Sequence, residues 1–242
     1  MTNINAVNFD YIKKWEGGLS KDSRDQAAKD PVPDSSGYHT NIGITWQTFK
    51  GLAAKGGYTA TPELFYKMPK DIWLKIYKVG FWDVVQGDKI NSQAIAELCA
   101  DWVWGTGPYA IKLIQQALNK LGAYPPLPGS YVFGPQTLKN MNELIKKKGE
   151  KVVFEALFAA RQKFMLDLGA KPAYAMFNTG WQNRLRDFYS FASKLVTDKP
   201  VIPIIVLAAI GLGLYLAFKN GDLKKSFGVS NGKAIATAAG VV

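Results

Sequence analysis

Two carboxylates stand out by their position. Glu16 is the last side chain before Gly17-Gly18, at the end of a helically spaced segment, and Asp34 opens the polar stretch DSSGYHTNIGIT that runs to Thr45. Cleaving a glycosidic bond requires a protonated carboxylic acid beside the leaving oxygen and a second carboxylate that activates water or stabilises the developing positive charge. Glu16 follows an apolar stripe at a helix C-terminus, where desolvation and the negative end of the helix dipole both favour a neutral carboxyl. Asp34 begins a turn rich in hydroxyls, where solvent favours the ionised form. These surroundings suit a general acid and its partner, and Thr40 in the same stretch supplies a hydroxyl able to position the attacking water. Asp22, Asp25 and Asp30 read as solvated loop charges, although Asp30-Pro31 competes with Asp34 for the second role.

Other chemistries are poorly supplied. The 242 residues contain one histidine, His39, and one cysteine, Cys99. That leaves no zinc cluster, no internal disulfide framework and no serine triad with its GxSxG elbow, so neither metal nor cofactor is expected. Cys99 lies in an apolar helical run and reads as a core residue. The 30 Lys and Arg against 19 Asp and Glu give a net charge of +11, which favours an anionic partner: nucleic acid, acidic lipid or a phosphate-rich cell envelope. Nucleic acid ranks last, because neither a helix-turn-helix nor an aromatic-basic platform is present.

The elements that must place the two carboxylates are mostly helices. Ile4, Val7, Tyr11 and Trp15 form one stripe of a helix over residues 3–16 that Gly17-Gly18 ends, and the stretch from Asp34 reads as a turn feeding a short strand pair. Helical patterns follow at 46–55, from Thr61, and at 69–79, 92–104, 108–121, 135–148, 150–168 and 179–196. GTGP at Gly105–Pro108 and AYPPLPGSYVFG at Ala123–Gly134 separate helices without reading as flexible interdomain linkers. The expected body is mainly α, two-lobed, with a small β-hairpin. Beyond it, PVIPIIVLAAIGLGLYLAF at 200–218 carries no charge between Lys199 and Lys219. At about 1.5 Å per residue it is long enough to cross a bilayer core of roughly 30 Å, so it is expected as one transmembrane helix in contact with lipid. A short basic tail, 219–242, follows. The opening MTNINAVNFDYIKKW has no apolar stretch behind a basic start, so a secretory signal peptide is not expected.

The segment Asp34–Ile44 resembles the catalytic hairpin of phage-type lysozymes, in which an acid at a helix end is followed by Asp, then Thr, then a Gly-Ile pair; Glu16, Asp34 and Thr40 occupy those positions. The soluble part as a whole is similar to glycoside hydrolase family 108, the N-acetylmuramidases that join an EGG motif to a peptidoglycan-binding region. The matches run in order from Phe9 to Arg184: Glu16-Gly17-Gly18, Thr40–Thr45, Tyr77 with Phe81-Trp82-Asp83, Asp101 before a GTG turn, Gln115–Asn119, Phe133-Gly134-Pro135 with Thr137, Arg161, and Gly180-Trp181 with Arg184. The Leu19–Pro33 loop is longer than the family's usual approach to the threonine, and Gly105 stands where the family commonly places Asn. The resemblance implies a lysozyme-like fold, a catalytic region at 1–104, and a helical peptidoglycan-binding lobe at 105–196 packed on it. It also implies hydrolysis of the bond between N-acetylmuramic acid and N-acetylglucosamine.

Expected substrate contacts are Tyr38 and Trp104 through their ring faces, His39 as a hairpin-surface residue hydrogen-bonding the sugar, Asn41, and Arg184 toward lactyl or peptide carboxylates. For Arg184, a salt bridge to a nearby acid is an equal alternative. The leading reading is a membrane-anchored muramidase acting on bacterial peptidoglycan. If water attacks directly, the reaction inverts and the carboxyls stand roughly 6.5–9.5 Å apart. A C-terminal span without a signal peptide points to a lipid-containing phage virion that carries its lysin into the host, or else to the host inner membrane with the enzyme facing the periplasm. Contacts with virion proteins or a homo-oligomer fit the small pair Ala209 and Gly213. Two alternatives stand beside it: an inactive wall-binding or structural virion component, and a lytic transglycosylase, which needs only the Glu.

Overall fold

The structure, a computed structural model, describes residues 2–7 and 9–197. In chain order, α1 (Phe9–Glu16) leads through a long loop into the hairpin β1 (Thr40–Asn41) and β2 (Ile44–Thr45), followed by α2 (Trp46–Gly56), α3 (Pro62–Lys67) and α4 (Lys70–Tyr77). A run of π and 3-10 turns then precedes α5 (Gln93–Thr106), α6 (Tyr109–Lys120), α7 (Pro135–Lys148), α8 (Glu150–Gly169) and α9 (Ala175–Ala192). Local signals start these helices. Thr45, Thr61 and Ser92 each accept a backbone N–H of the first turn of α2, α3 and α5, and Pro62 and Pro135 occupy first-turn positions where a missing donor is harmless.

α5 is the axis of the fold. Every residue from Ala94 to Val103 is buried, so the helix is covered on all sides by α6, α8, α9 and the turns before it. One continuous apolar core runs from Val7 to Ala192 and includes Trp46, Phe49 and Phe65 beneath the hairpin and Phe154, Phe158 and Phe188 between α8 and α9. Cys99 is part of this core, and burial pushes its thiol up to about 12.

Two element bounds differ from the sequence reading. The first helix is broken: Ile4–Ala6 form a 3-10 turn capped by Asn3, Val7 turns extended with ψ 128°, and α1 begins at Phe9. The stripe from Ile4 to Trp15 is therefore shared by two elements. α9 begins at Ala175, a turn before Thr179, because a 3-10 turn at Pro172–Tyr174 feeds it directly. The apolar run 200–218 and the tail lie outside the described residues; among the described ones no helix is long and apolar enough to cross a membrane.

The hairpin pairs Thr40 with Thr45 and Asn41 with Ile44, which leaves Ile42 and Gly43 as a two-residue turn. Both have positive φ, 45° and 71°, as the tight turn of a right-twisted hairpin demands. For a β-branched residue such as Ile42 this conformation is strained by roughly 1–3 kcal/mol, and buried Trp73 holds it by donating its indole N–H to the Ile42 carbonyl at 3.2 Å. Ser20 adds a bridge on the other side of β1, its N–H reaching the Thr40 carbonyl at 2.8 Å, so the long loop returns to the hairpin it precedes.

Candidate active site

Glu16 ends α1 with its carboxylate turned toward the hairpin. Its Oε1 accepts the indole N–H of Trp104 at 2.8 Å and is paired with Nη1 of Arg184. Its Oε2 lies against Gly43: a Cβ there would stand 2.6 Å from that oxygen and 2.7 Å from the Trp104 ring. Gly43 is thus required twice, by its positive φ and by the approach of the carboxylate. With Oε1 committed to two donors, a proton on this carboxyl belongs on Oε2. Trp104 is braced from behind by the rings of Phe81, Trp73 and Tyr77 at 4.7, 5.4 and 5.6 Å. The apolar surroundings expected for Glu16 are only half of what it has, because a guanidinium covers its other side.

That guanidinium is itself tied down. Nη2 of Arg184 donates to Oδ1 of Asp101 at 3.2 Å, and Asp101 takes a second donor, Nη2 of Arg161, at 2.6 Å on Oδ2. Burial alone would push the Asp101 carboxyl up, but the two guanidiniums outweigh it and hold the group below the usual carboxylate range. Of the two readings of Arg184, ion pairing with acids of the chain is what the geometry shows. Tyr11 of α1 donates its hydroxyl to the Arg184 carbonyl at 3.0 Å, fixing α9 against α1.

The hairpin side is built around hydroxyls. Asp34 is exposed, and its Oδ1 accepts the Ser36 N–H at 2.9 Å while Oδ2 accepts the Tyr66 hydroxyl at 2.5 Å. The bonds from Ser36 and Tyr66 hold its carboxyl below the ordinary range. Asp30, the competing acid, is paired with Lys50 at 3.2 Å. Tyr38 sits edge-on to Tyr66, with Lys21 over its ring at 5.3 Å.

His39 and Asn41 are not where a substrate contact would be. His39 is fully buried rather than on the hairpin surface, because the long loop folds over it: its Nε2 faces the Asp22 carbonyl at 3.2 Å. A carbonyl only accepts, so Nε2 carries the proton, and in the neutral ring Nδ1 accepts the Thr40 hydroxyl proton at 2.9 Å. Thr40 then keeps its lone pairs as acceptors. Asn41 is 4% exposed and spends its amide on the carbonyls of Phe65 and Tyr66 at 2.7 and 3.1 Å, anchoring α3 under the hairpin. Tyr66 gives no signal in the sequence, since only the packing of α3 brings it to Asp34. Asp101 does give one: a charge inside CADWVW, on a helix apolar all round, must have buried partners.

A helical body with a minimal hairpin, and a carboxylate at a helix end facing that hairpin, fit a lysozyme-like fold. Residues 9–107 match the family described as Glycosyl hydrolase 108, and residues 109–186 match the Predicted Peptidoglycan domain. The two adjacent matches are those of a peptidoglycan hydrolase, a glycoside hydrolase region followed by a peptidoglycan-binding one. Among solved structures, SagA of Brucella abortus shares the fold, with a TM-score of 0.53 and 22% identity over 79% of this chain and 95% of that one. No curated protein matches the chain.

Proposed function

We propose that the protein hydrolyses the glycosidic bond between N-acetylmuramic acid and N-acetylglucosamine, with Glu16 as general acid, Asp34 as the carboxylate that orients or activates water, and Thr40 as its partner. The observation that carries this reading is the asymmetric hold on Glu16: Oε1 is fixed by Trp104 and Arg184, and Oε2 is presented at the hairpin turn. The Oε2 proton passes to the glycosidic oxygen as its bond to the anomeric carbon breaks. Water attacks that carbon and gives up its proton to Asp34, which returns the site to its starting state once the two carboxyls have exchanged a proton with solvent. Asp34 is favoured over Asp30 because its spacing to Thr40 fits and because Asp30 is paired with Lys50. Thr40, its own proton held by His39, accepts a hydrogen bond from the attacking water.

Holding a polymer takes more than a cleft, and two features support contact with the wall. Tyr38 lies beside Asp34 in the hairpin, where its ring can meet a sugar face. Tyr109, Tyr131 and Val132 are 39, 54 and 69% exposed on the second region, and the loop bearing the latter two is pinned from below. Buried Gln115 bonds Ser130 N–H and the Val132 carbonyl, Asn119 bonds Leu127 twice, and Asn140 bonds Pro125. With the apolar run 200–218 as lipid anchor, the enzyme would sit in the membrane of a lipid-containing phage particle or, alternatively, in the host inner membrane facing the periplasm. Purified particles should contain the protein in the first placement, and its absence from them would remove that placement.

The experiment is release of muropeptides from isolated cell wall by the detergent-solubilised full chain and by its Glu16→Gln variant. Hydrated, reducing-end muramic acid products that vanish in the variant are expected. Anhydro-sugar products would make the enzyme a transglycosylase, and no release by the folded wild type would leave a wall-binding component.

A further inference from the structure

The boundary between the two family matches falls between residues 107 and 109, yet the polar contacts of Glu16 cross it. Glu16 and Asp101 lie in the first region, Arg184 and Arg161 in the second, and they alternate in one chain: Glu16, Arg184, Asp101, Arg161. α9 is further tied to α1 by the Tyr11 hydroxyl and by Lys14 against Asp187 at 2.5 Å.

We infer that the peptidoglycan-binding region completes the catalytic centre: Arg184 is a positioning residue that sets the plane of the Glu16 carboxyl, and the first region is not competent without it. This rests on Glu16 being the general acid. Trp104 alone gives one hydrogen bond to Oε1, about which a carboxyl still turns, since the terminal torsion of a Glu side chain is broad. A second donor on the same oxygen from α9 removes that freedom and leaves Oε2 as the oxygen that meets the leaving group. Arg184 in turn is oriented through Asp101 by Arg161, a residue 5% exposed whose guanidinium lies 5.2 Å over the Phe188 ring. The Arg184 guanidinium lies where negative charge develops on Glu16 as its proton departs. Both terminal nitrogens of Arg184 are engaged by acids of the chain, Glu16 and Asp101, which favours a role toward the acid over one toward a wall carboxylate.

The test uses the full chain with Arg184→Ala and Arg184→Lys. Loss of orientation of this kind lowers rate by about 100-fold. The expected result is therefore a kcat about 100-fold lower in Arg184→Ala, with KM and wall pelleting within about twofold of wild type. Arg184→Lys restores part of the loss, and added guanidinium ion rescues Arg184→Ala but not Glu16→Gln. The Trp104 indole N–H resonance, which senses Oε1, is expected to move in Arg184→Ala at constant pH. A kcat within twofold of wild type overturns the inference, as does loss of pelleting with kcat retained. Should Arg184→Ala fail to fold, a wild-type kcat in Arg184→Lys overturns it just as well. If the wild-type chain releases nothing from the wall, the muramidase reading fails, and an unmoved Trp104 resonance then overturns the positioning role by itself.

Discussion

Adding one methyl group at Gly43 should disable the site, and the structure says by how much. The new Cβ would stand 2.6 Å from Oε2 of Glu16 and 2.7 Å from the Trp104 ring, so the neighbours must retreat by about 1 Å to reach ordinary contact. Glu16 has little room to do so while Trp104 and Arg184 grip Oε1. The left-handed backbone, φ +71, adds about 1–2 kcal/mol once a Cβ is present, and overpacking adds about 1–3 kcal/mol. Gly43→Ala is therefore expected to lose about 2–5 kcal/mol of stability and about 100-fold in kcat, the penalty for an ångström of misplacement. Gly57→Ala is the control: φ is +65 and no atom lies within 4 Å, so it should lose only the backbone part and keep its rate. Urea unfolding of both variants, alongside muropeptide release, separates strain from contact. Equal stability losses with a wild-type rate in Gly43→Ala would refute the placement of Glu16 against the turn.

Tyr66→Phe removes a donor from Asp34, whose lowered pKa then rises, so activity should fail at a higher pH on the acid side than in wild type; an acid limb that does not move would count against Asp34 as the ionised partner. Buried Glu97 behaves oppositely. Burial pushes its carboxyl up to about 8, so its stability contribution is complete below about 4.5 and is lost as pH rises through about 8. Up to about 5 kcal/mol is involved, and urea midpoints at pH 5 and pH 9 should separate in wild type and draw together in Glu97→Gln. Asp101→Ala leaves Arg161 buried without its carboxylate and should destabilise the fold by about 3–5 kcal/mol, read from the same unfolding curves; a loss under about 1 kcal/mol would mean that the pair is dispensable. Gly105 is exposed and a Cβ there meets nothing within 4 Å, so Gly105→Asn should fold normally and, by supplying the amide expected there from the resemblance to family 108, lower KM for wall fragments; an unchanged KM would dismiss that contact.

What was legible beforehand was local. The hairpin announces itself by a Gly where the turn needs positive φ, the helix starts by Thr45, Thr61, Ser92 and Pro135, and the end of α1 by Gly17 at φ +68, because capping and turn conformation depend on a few adjacent residues. The position of Glu16 at a helix end before a polar hairpin is of the same kind, and so is the apolar core run that holds Cys99.

What a side chain meets after folding is another matter. His39 and Asn41, polar residues in a polar stretch, read as solvated by every local rule, yet the long loop covers one and α3 covers the other. Arg184 stands 168 residues from Glu16, and no spacing along the chain distinguishes an arginine that grips the acid from one that waits for substrate. The amino-acid sequence by itself determined the helices, the turn and the carboxylate at its mouth, since those follow from short-range sterics and hydrogen bonds. Only the tertiary structure decided which donors hold that carboxylate and which of its oxygens is free, because pairing between distant charges is set by how α1, α5 and α9 pack.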